Sequence, residues 1–452
     1  MISLLPSVTL PDSLRTRLIW IKQHIDFILL ILLSGAALIR FWAAPLSAGP
    51  DVAQFWAFAK TFQVHGLDFY RYADAWTGTF PYQGWGYFYP PVWLLLLRVA
   101  LFFTPASLAT DVMIDPAWRI AMKTPIIIAD LVIGLLIYWA VPGKKWRKLL
   151  FASLWLFHPT AWYESAVFGQ FDAIAVALLL ACVITLMKGK DRLAFILAAL
   201  AVLTKQHTFL AVVMIVIISA RGMSRRRFFT NVAFGAGTVA LFSIPFLVTG
   251  NFYTYARSLF LPGSPPGYQF PLCFSFSGTG SILTYLHDIW GWNTVNLISF
   301  IIPLLIVVLI AAGILCYKKQ LTPLQGALVG VLIFTGIFYR INYQYLVIYI
   351  PLAILLASQT SYRSERIFTI ILSLFPAVWI WLANVPWWFH SFEPHFEQAS
   401  PILTRIGFLN RYLPDYAYVT YAAVLMVLSL SYVVLAFCKW HQRDGLPDGM
   451  AK

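Results

Sequence analysis

Residues 43–56 read AAPLSAGPDVAQFW, and residues 81–93 read PYQGWGYFYPPVW. Apart from Ala43, both stretches belong to the segment Ala44–Phe103, around which the rest of the chain is organised. The segment follows a first apolar run and opens with an acid at Asp51. It is rich in aromatic rings: Tyr70, Tyr72, Trp76, Tyr82, Trp85, Tyr87, Phe88 and Tyr89. Aromatic faces pack against sugar C–H surfaces, and a carboxylate accepts hydroxyl protons. Carbohydrate chemistry at a membrane surface fits this pattern, as does an interfacial loop with rings among lipid headgroups.

The whole chain is strongly apolar. It is 60% hydrophobic and 11% charged, with a mean hydropathy of +0.76, whereas soluble domains carry about 25% charged residues. Uncharged runs near 20 residues recur, and each is long enough to span ~30 Å of hydrocarbon. The backbone of a spanning segment must satisfy its own hydrogen bonds. We therefore predict an all-α fold, a polytopic transmembrane bundle of about 12 spans with a long first extracytoplasmic loop.

The net charge of +14 comes from clustered basic residues. Clusters in short loops between apolar runs are typical of cytoplasmic loops under the positive-inside rule. They argue against a nucleic-acid-binding surface and against nucleic acid as a partner. The clusters are Lys144, Lys145, Arg147 and Lys148; Lys188, Lys190 and Arg192; Arg221, Arg225, Arg226 and Arg227; Lys318 and Lys319; Arg363 and Arg366; Lys439 and Arg443.

The apolar runs give an order of spans. They are Ile25–Trp42, Ile120–Val141, Leu149–Phe168, Phe171–Met187, Phe229–Val248, Val295–Tyr317, Leu324–Tyr339, Tyr343–Ser358, Ile367–Ala383 and Tyr418–Phe437. Trp93–Phe103 is short and contains Arg98, so we expect it to be re-entrant or interfacial. Leu193–Ser219 has basic clusters at both ends, so we expect a hairpin of two short helices with Lys205 at its turn.

This order of spans predicts a catalytic membrane module at 1–219, with its outer loop at 44–118. A variable module at 220–452 follows, with outer loops at 251–293 and 384–415. Basic residues precede the first span without a small-residue cleavage site, which favours an uncleaved anchor. No cysteine and histidine spacing indicates a metal site.

Polar residues from distant segments converge on the outer side of this topology. Ionisable groups at membrane depth are functional by default, because each is unfavourable unless it is paired or wetted. A structural alternative is that Lys205 and Arg340 pair with Asp172 and Glu164 only to pin helices together. Asp130, in mid-span, suits a helix–helix hydrogen bond as well as catalysis. The converging residues are Asp51, Lys123, Glu164, Gln170, Asp172, Lys205, Arg340, Asn342, Tyr343 and Gln344.

The signatures of nucleotide-dependent enzymes are missing from the sequence. It contains neither a glycine-rich phosphate loop nor a dinucleotide fingerprint. A sugar donor would therefore arrive through the bilayer, carried on a lipid phosphate. Lys205, Lys123 and Arg340 have the chemistry to bind a phosphate leaving group, as point charges or as a fork.

Several patches resemble the GT-C superfamily of integral-membrane glycosyltransferases. The resemblance is greatest to the branch that uses dolichyl- or polyprenyl-phosphate hexoses, which includes the asparagine-linked-glycan glucosyltransferases and the first mannosyltransferase of the GPI anchor. The patches are Asp51 with YFYPPVW (Tyr87–Trp93), AMKTPIIIADL (Ala121–Leu131), HPTAWYESAVFGQFDAI (His158–Ile174), LTKQHTFL (Leu203–Leu210) and YRINYQYLVIYIPL (Tyr339–Leu352). The glucosyltransferases have a His-Glu-Lys type sequence in the last patch, whereas Gln344-Tyr345 is closer to the mannosyltransferases.

The resemblance implies an inverting hexosyltransferase, with mannose favoured, and no cofactor or metal. Asp51 would be the catalytic base, and Lys205, Arg340 and Lys123 would bind the donor phosphate. The partners would be a polyprenyl-phosphate sugar, membrane lipids and a glycan, lipid or protein acceptor. Sugar or acceptor contacts would come from Gln170, Asp172, Glu164, Gln344, Tyr89 and Trp85.

The same resemblance places the protein in the inner membrane of a prokaryote or the endoplasmic reticulum of a eukaryote. Two other functions stay open. A transporter or flippase for lipid-linked saccharides would favour two similar halves with broken helices in matching positions. A non-catalytic subunit of a glycan-assembly complex would make Asp51 and Lys205 dispensable.

Overall fold

The computed structural model describes residues 25–49, 51–73, 86–104, 115–249, 252–260, 277–378 and 414–438. Within these ranges the regular structure is helical, apart from one isolated antiparallel bridge between Ser277 and Ile341. The predicted all-α class is confirmed. The N-terminal anchor before residue 25, Trp85 and most of the outer loop at 384–415 lie outside the described residues.

The first half of the chain alternates long and short helices. They are α1 (Ile25–Ala43), α2 (Asp51–His65), α3 (Phe69–Ala73), α4 (Pro91–Phe102), α5 (Pro116–Ala140), α6 (Lys145–Leu156), α7 (Pro159–Trp162), α8 (Asp172–Met187), α9 (Asp191–Thr204) and α10 (Phe209–Gly222). Short 3₁₀ turns lie at Ala44–Leu46, Gly66–Asp68 and Gln206–Thr208, and a π-helical turn lies at Tyr163–Phe168.

The second half continues in the same way. Its helices are α11 (Arg225–Leu247), α12 (Phe252–Phe260), α13 (Thr279–Trp290), α14 (Ile301–Lys318), α15 (Pro323–Ile337), α16 (Tyr349–Gln359), α17 (Arg363–Leu374) and α18 (Asp415–Cys438). Two 3₁₀ turns, Val295–Phe300 and Tyr343–Ile348, lead directly into α14 and α16.

Proline fixes the start of several helices. α4, α5, α7 and α15 each begin with proline, whose missing N–H would have no intrahelical partner at that position. The preceding residue then caps the helix: Asp115 accepts the N–H of Trp118 at 2.8 Å, and Thr322 forms a capping box with Gln325. The local sequence therefore determines where these elements begin.

Within the described ranges, five helical segments are long and apolar enough to cross a membrane: Phe27–Leu46, Pro116–Ala140, Arg225–Leu247, Leu297–Lys318 and Asp415–Cys438. Large apolar side chains are exposed on the outside of the bundle, for example Leu38, Leu241 and Val307. Water would disfavour such a surface, and lipid accepts it. The protein is therefore an integral membrane protein, and its predicted total of about 12 crossings remains a prediction.

Five basic segments meet at one end of the bundle. Four side-chain contacts join them: Arg147 to the carbonyl of Ser358 at 2.5 Å, Gln359 to the sulfur of Met187 at 4.0 Å, Arg227 to Asp191 at 2.5 Å, and Arg221 to the carbonyl of Tyr317 at 2.6 Å. We call this end the basic face. Because the clusters were predicted to be cytoplasmic, the opposite end of the helices is the predicted outer side.

The chain reverses direction at Lys205. The Asp191–Arg227 pair holds the beginnings of α9 and α11 together, and α10 ends close before α11. The stretch from 191 to 222 therefore leaves the basic face and returns to it. Lys205 has an extended backbone between the two helices, and α9 is about 21 Å long, shorter than a full crossing. The predicted hairpin is present, although its arms pack on different neighbours, α9 on α8 and α11, and α10 on α14 and α15.

The segment Pro91–Phe102 enters and leaves on the outer side. The carbonyl of Phe88, before it, accepts a hydrogen bond from Gln206 beside Lys205. Trp118, after it, donates to the carbonyl of Val52 at 2.7 Å, next to Asp51. A helix of this length is about 18 Å long and does not cross ~30 Å of hydrocarbon. This agrees with the predicted re-entrant segment.

One predicted span differs from the structure. The span predicted at Leu149–Phe168 breaks after Leu156, because Pro159 disfavours a helical conformation at His158 and starts a new short helix. The first outer segment is mostly helical in its described part, where α2, α3 and α4 form a layer at the predicted outer ends of the spans.

Candidate active site

Asp51 and Gln170 touch although 119 positions separate them in the sequence. The side-chain amide of Gln170 donates a hydrogen bond to the Asp51 carboxylate. Asp51 begins α2, where the first-turn N–H groups favour a negative charge. It is half-buried, whereas Gln170 is 1% exposed, so Asp51 is the reachable member of the pair. Burial raises the pKa of Asp51, against the opposing effects of the Gln170 hydrogen bond and the Lys205 charge.

A tight turn presents Gln170 to Asp51. The π-helical turn ends when the carbonyl of Glu164 accepts the backbone N–H groups of Gly169 and Gln170, at 2.9 and 2.8 Å. Gly169 has a left-handed backbone with φ of +84°, which glycine adopts without strain. A Cβ there would lie 2.9 Å from the terminal methyl group of Met122, so a larger residue would also displace that side chain. The sequence GQFD therefore encodes a specific turn.

Lys205 forms a buried ion pair with Asp172. Its ammonium lies 2.9 Å from Oδ2 of Asp172, and the two side chains are 2% and 1% exposed. Asp172 is at the N-terminus of α8 and Lys205 follows the C-terminus of α9, so both charges complement helix dipoles. The pinning pair that the sequence left open is thus present for these two residues. Because residues 170–172 span at most about 7 Å, the pair is close to Asp51.

Aromatic rings enclose the ammonium of Lys205. It lies 4.1 Å from the ring centre of Phe171 and 4.8 Å from that of Tyr89, within cation–π range. Phe171 stacks on Trp93 at 4.5 Å, and Phe55 meets Phe171 edge-on at 5.7 Å. Tyr89 is half-buried and is the member of this group nearest the opening. The aromatic rings of this site therefore contact the ammonium of Lys205.

His207 and Gln206 also face this site, and the sequence analysis did not select them. Nε2 of His207 lies 3.4 Å from Oδ1 of Asp172, and its ring centre is 4.7 Å from that of Tyr345. Gln206 donates to the carbonyl of Phe88 at 2.7 Å. The signal was the helix break itself, because polar residues at a break within an apolar run lie where the backbone turns beside the site.

Glu164 is buried near this cluster, 2% exposed, and neither carboxyl oxygen accepts a hydrogen bond from the described part of the chain. Lys205, its nearest candidate cation, contacts Asp172 instead. A buried carboxylate without a partner is unfavourable, so burial favours the neutral acid at Glu164. A neutral acid offers one hydrogen-bond donor as well as an acceptor.

Arg340 lies on the turn after α15. The backbone bridge of Ile341 to Ser277 fixes this turn, and Arg340 is half-buried. Its charge acts on Tyr345, whose ring contacts His207, so the turn borders the Asp172 cluster. Gln344 is 7% exposed in the same 3₁₀ segment. Arg340 is therefore more accessible than Lys205.

Lys123 does not join this cluster. It is 0% exposed, and its ammonium donates to backbone oxygens of the segments 44–47 and 166–167. The described contacts of the ammonium are all with protein oxygens, so they give no support to the predicted phosphate role of Lys123, which stays a prediction. Asp130 is likewise structural, because its carboxylate accepts from Arg40 at 2.6 Å and from Ser165 at 2.7 Å.

The site therefore contains Asp51, Gln170, Asp172, Lys205 and Glu164 in one group, with Arg340 and Gln344 at its border. Trp85 lies outside the described residues. The roles of these residues stay predictions.

Comparison with known proteins gives three findings. Two structures of ArnT from Cupriavidus metallidurans, one bound to undecaprenyl phosphate and one in the apo state, resemble the chain with TM-scores of 0.44 and 0.45. Sequence identities are 13% and 14%, and each match covers 92% of this chain and 77% of the other. No curated protein matches. The sequence model of glycosyltransferase family 87 matches residues 87–337.

That match begins at the aromatic Tyr87 and includes Gln170, Asp172 and Lys205, while Asp51 lies before it and Arg340 just after it. The predicted GT-C class is supported, and the more specific mannosyltransferase- or glucosyltransferase-like branch is not. Because the match covers more than half of the sequence, the chain belongs to glycosyltransferase family 87.

Proposed function

We propose that the protein is an inverting glycosyltransferase that moves a hexose from a polyprenyl-phosphate donor to an acceptor on the extracytoplasmic side. Mannose is the favoured sugar, and a glycan, lipid or protein carries the acceptor hydroxyl. Family membership supports the reaction class. The observation that carries the proposal is the half-buried Asp51 carboxylate, oriented by Gln170 at the outer end of the bundle.

Asp51 is the base in this proposal. It takes the proton of the acceptor hydroxyl while that oxygen forms a bond to the anomeric carbon. The bond from the anomeric carbon to the phosphate oxygen breaks, and the lipid phosphate leaves with the electron pair. A carboxyl whose pKa is raised by burial is a stronger base than an exposed one, and it is closer to the working pH.

Arg340 is the cation that we assign to the donor phosphate. It is half-buried at the edge of the cluster, and a guanidinium can donate two parallel hydrogen bonds to a phosphate. Lys205 remains in the buried pair with Asp172, so it does not contact the phosphate directly. Its positive charge stabilises the leaving group through the electrostatic field of the site. This assignment gives the two cations different tasks.

In this proposal the uncharged polar groups bind the hydroxyl groups of the sugar. Glu164 in its neutral form, Gln170 and Gln344 each offer both donors and acceptors, as hydroxyl groups require. The half-buried ring of Tyr89 supplies an apolar face for the sugar. The resemblance of Gln344-Tyr345 to the mannosyltransferases is the reason for favouring mannose.

The side on which the site opens supports a lipid-linked donor. Asp51 and Lys205 lie at the ends of the helices away from the basic face, which is predicted to be cytoplasmic. Sugar nucleotides from the cytosol do not reach that side without transport. A sugar on a polyprenyl phosphate reaches it within the bilayer.

Reconstituted protein tests the proposal. Nanodiscs are supplied with radiolabelled polyprenyl-phosphate mannose, glucose or arabinose, with and without a membrane lipid extract as acceptor source. We expect transfer of mannose from polyprenyl-phosphate mannose. Asp51→Asn should lower kcat for this transfer by about 10²–10⁴-fold. Asp68→Asn, a nearby acid outside the cluster, is the control. Near-normal kcat in Asp51→Asn removes the catalytic assignment. In a parallel reaction sugar nucleotides replace the lipid-linked sugars, and transfer in that reaction alone removes the lipid donor.

A further inference from the structure

Lys123 performs a different task from the one that its chemistry suggests. We propose that Lys123 is a positioning residue whose ammonium clamps the backbone before Asp51 to the backbone before Gln170, and so sets the contact between these two side chains. Its catalytic consequence rests on the proposed function of Asp51. The clamp itself is a statement about geometry.

The surroundings of the ammonium are the first argument. Nζ of Lys123 lies 3.1 Å from the carbonyl of Ala44, 2.5 Å from that of Ser47, 2.9 Å from that of Ala166 and 3.0 Å from that of Val167. The hydroxyl of Ser47 is a fifth neighbour at 3.3 Å. Carbonyl oxygens only accept hydrogen bonds, so this cage suits an ammonium, which only donates.

The sequence positions of the cage are the second argument. Ser47 precedes Asp51 by four residues, and Val167 precedes Gln170 by three. The two segments also touch directly, because the N–H of Gly49 donates to the carbonyl of Phe168 at 3.0 Å. Lys123 therefore lies across the seam between the stretch that leads to Asp51 and the stretch that leads to Gln170, whose relative position affects whether Gln170 reaches Asp51.

The charge of the segments is the third argument. Ala44 and Ser47 follow the C-terminus of α1, and Ala166 and Val167 lie at the end of the π-helical turn. Both are places where carbonyl groups lack an intrahelical partner and carry partial negative charge. Without a cation between them, the two sets of carbonyls repel each other and remain unsatisfied inside the protein. An apolar side chain at 123 would not hold the seam closed.

The consequence for catalysis follows from distance sensitivity. A displacement near 1 Å of a group in a catalytic site lowers the rate by about 10²-fold. Lys123 is fully buried and enclosed by five oxygens, so it reaches the reaction only through the seam. Its loss should then reduce kcat and leave the donor KM unchanged, whereas loss of a phosphate ligand would raise the donor KM.

Hydrogen exchange tests the clamp without reference to activity. The full chain with Lys123→Met, in nanodiscs, is compared with the wild type and with Thr124→Val, the next residue, whose hydroxyl bonds only to its own helix at Ile120. We expect faster exchange at the N–H groups of Gly49 and Gln170, and no change at the distant turn 188–190. Unchanged exchange at both sites overturns the clamp.

A double-mutant cycle then tests the link to Asp51. Lys123→Met should lower kcat by about 10²-fold in the wild type, and by less than about threefold in a Gln170→Leu background, where the contact is already lost. Equal losses in both backgrounds overturn the positioning role. If Lys123→Met does not fold, Ser47→Ala removes one ligand and should shift both readouts less, in the same direction. Altered exchange without detectable sugar transfer by any variant would keep the clamp and reject the proposed function.

Discussion

Two lysines are buried among the described residues of the first half of the chain, and their surroundings differ completely. Lys123 is 0% exposed among four backbone carbonyls and one hydroxyl, whereas Lys205 is 2% exposed against one carboxylate and two aromatic faces. The positive charge of Lys205 lowers the pKa of the Asp51 carboxyl against the effect of burial, and the charge of Lys123 does not contribute to the pKa of that carboxyl. A lysine among side chains tunes its neighbours electrostatically, and a lysine among carbonyls determines where the backbone lies.

The largest expected effect concerns the partner of Lys205. Asp172→Asn leaves a buried ammonium without its counter-charge, so the free energy of unfolding should fall by about 3–5 kcal/mol. The double variant Lys205→Met with Asp172→Leu removes both charges and should recover most of that stability, while transfer stays lost. Unfolding in detergent measures the stability of the single and the double variant. A double variant no more stable than Asp172→Asn would contradict the description of this site as an ion pair.

Lys123 should not allow such a recovery. Lys123→Met leaves buried backbone oxygens without a hydrogen-bond donor. The free energy of unfolding should fall by about 1–3 kcal/mol for each oxygen that no other donor reaches. Adding Ser47→Ala removes a hydroxyl that accepts from Lys123 and donates to the carbonyls of Ala43 and Ala166, and the carbonyls themselves remain because no substitution deletes them. The same unfolding measurement should therefore show no rescue in the double variant. Wild-type stability in that variant would mean that Ser47, and not the carbonyl cage, is the important partner of Lys123.

The pH profile separates the two lysines further. A base acts only when deprotonated, so kcat/KM should fall as the pH drops below the pKa of Asp51, which burial raises. Gln170 and Lys205 each favour the carboxylate and oppose that rise. Gln170→Leu and Lys205→Met should both move the acid limb to higher pH, because the pKa of Asp51 then rises further.

Lys123→Met should leave the position of that limb unchanged while lowering the plateau. Gln359→Leu, at the basic face, is the control for a lost glutamine and should alter neither the limb nor the plateau. A limb that moves to lower pH in Gln170→Leu would show that Gln170 does not stabilise the charged form of Asp51.

Hydropathy and charge were sufficient to predict the all-α membrane class and the grouping of the basic clusters at one end of the bundle. The basic clusters were expected on one side, and contacts such as Arg147 with Ser358 place them together. The reversal at Lys205 followed from basic residues at both ends of one apolar run. The break at Pro159 was also encoded, since proline disfavours helix in the residue before it, but the apolar run around it masked the signal.

The surroundings of each buried charge could not be predicted in the same way. Asp172 was an expected partner of Lys205 because both are side chains with opposite charges. The carbonyl cage of Lys123 leaves no mark in the sequence, because every residue has a carbonyl group. Arg40 is an intermediate case: an arginine inside the first predicted span required a partner, but only the packing of α1 on α5 identifies it as Asp130.

The smallest expected effect concerns the rings around Lys205, which have no counterpart at Lys123. Tyr89→Leu removes an aromatic face 4.8 Å from the ammonium and should lower the free energy of unfolding by about 0.5–2 kcal/mol beyond the lost packing. Tyr89→Phe keeps the face and is the matched control, with stability near the wild type. The ring of Tyr89 also meets Phe55 and Phe171 edge-on, and these contacts do not depend on the cation. The difference between the two variants should therefore become smaller, by the cation–π contribution, once Lys205→Met with Asp172→Leu is the background. A difference of unchanged size there would assign the role of Tyr89 to ring packing alone.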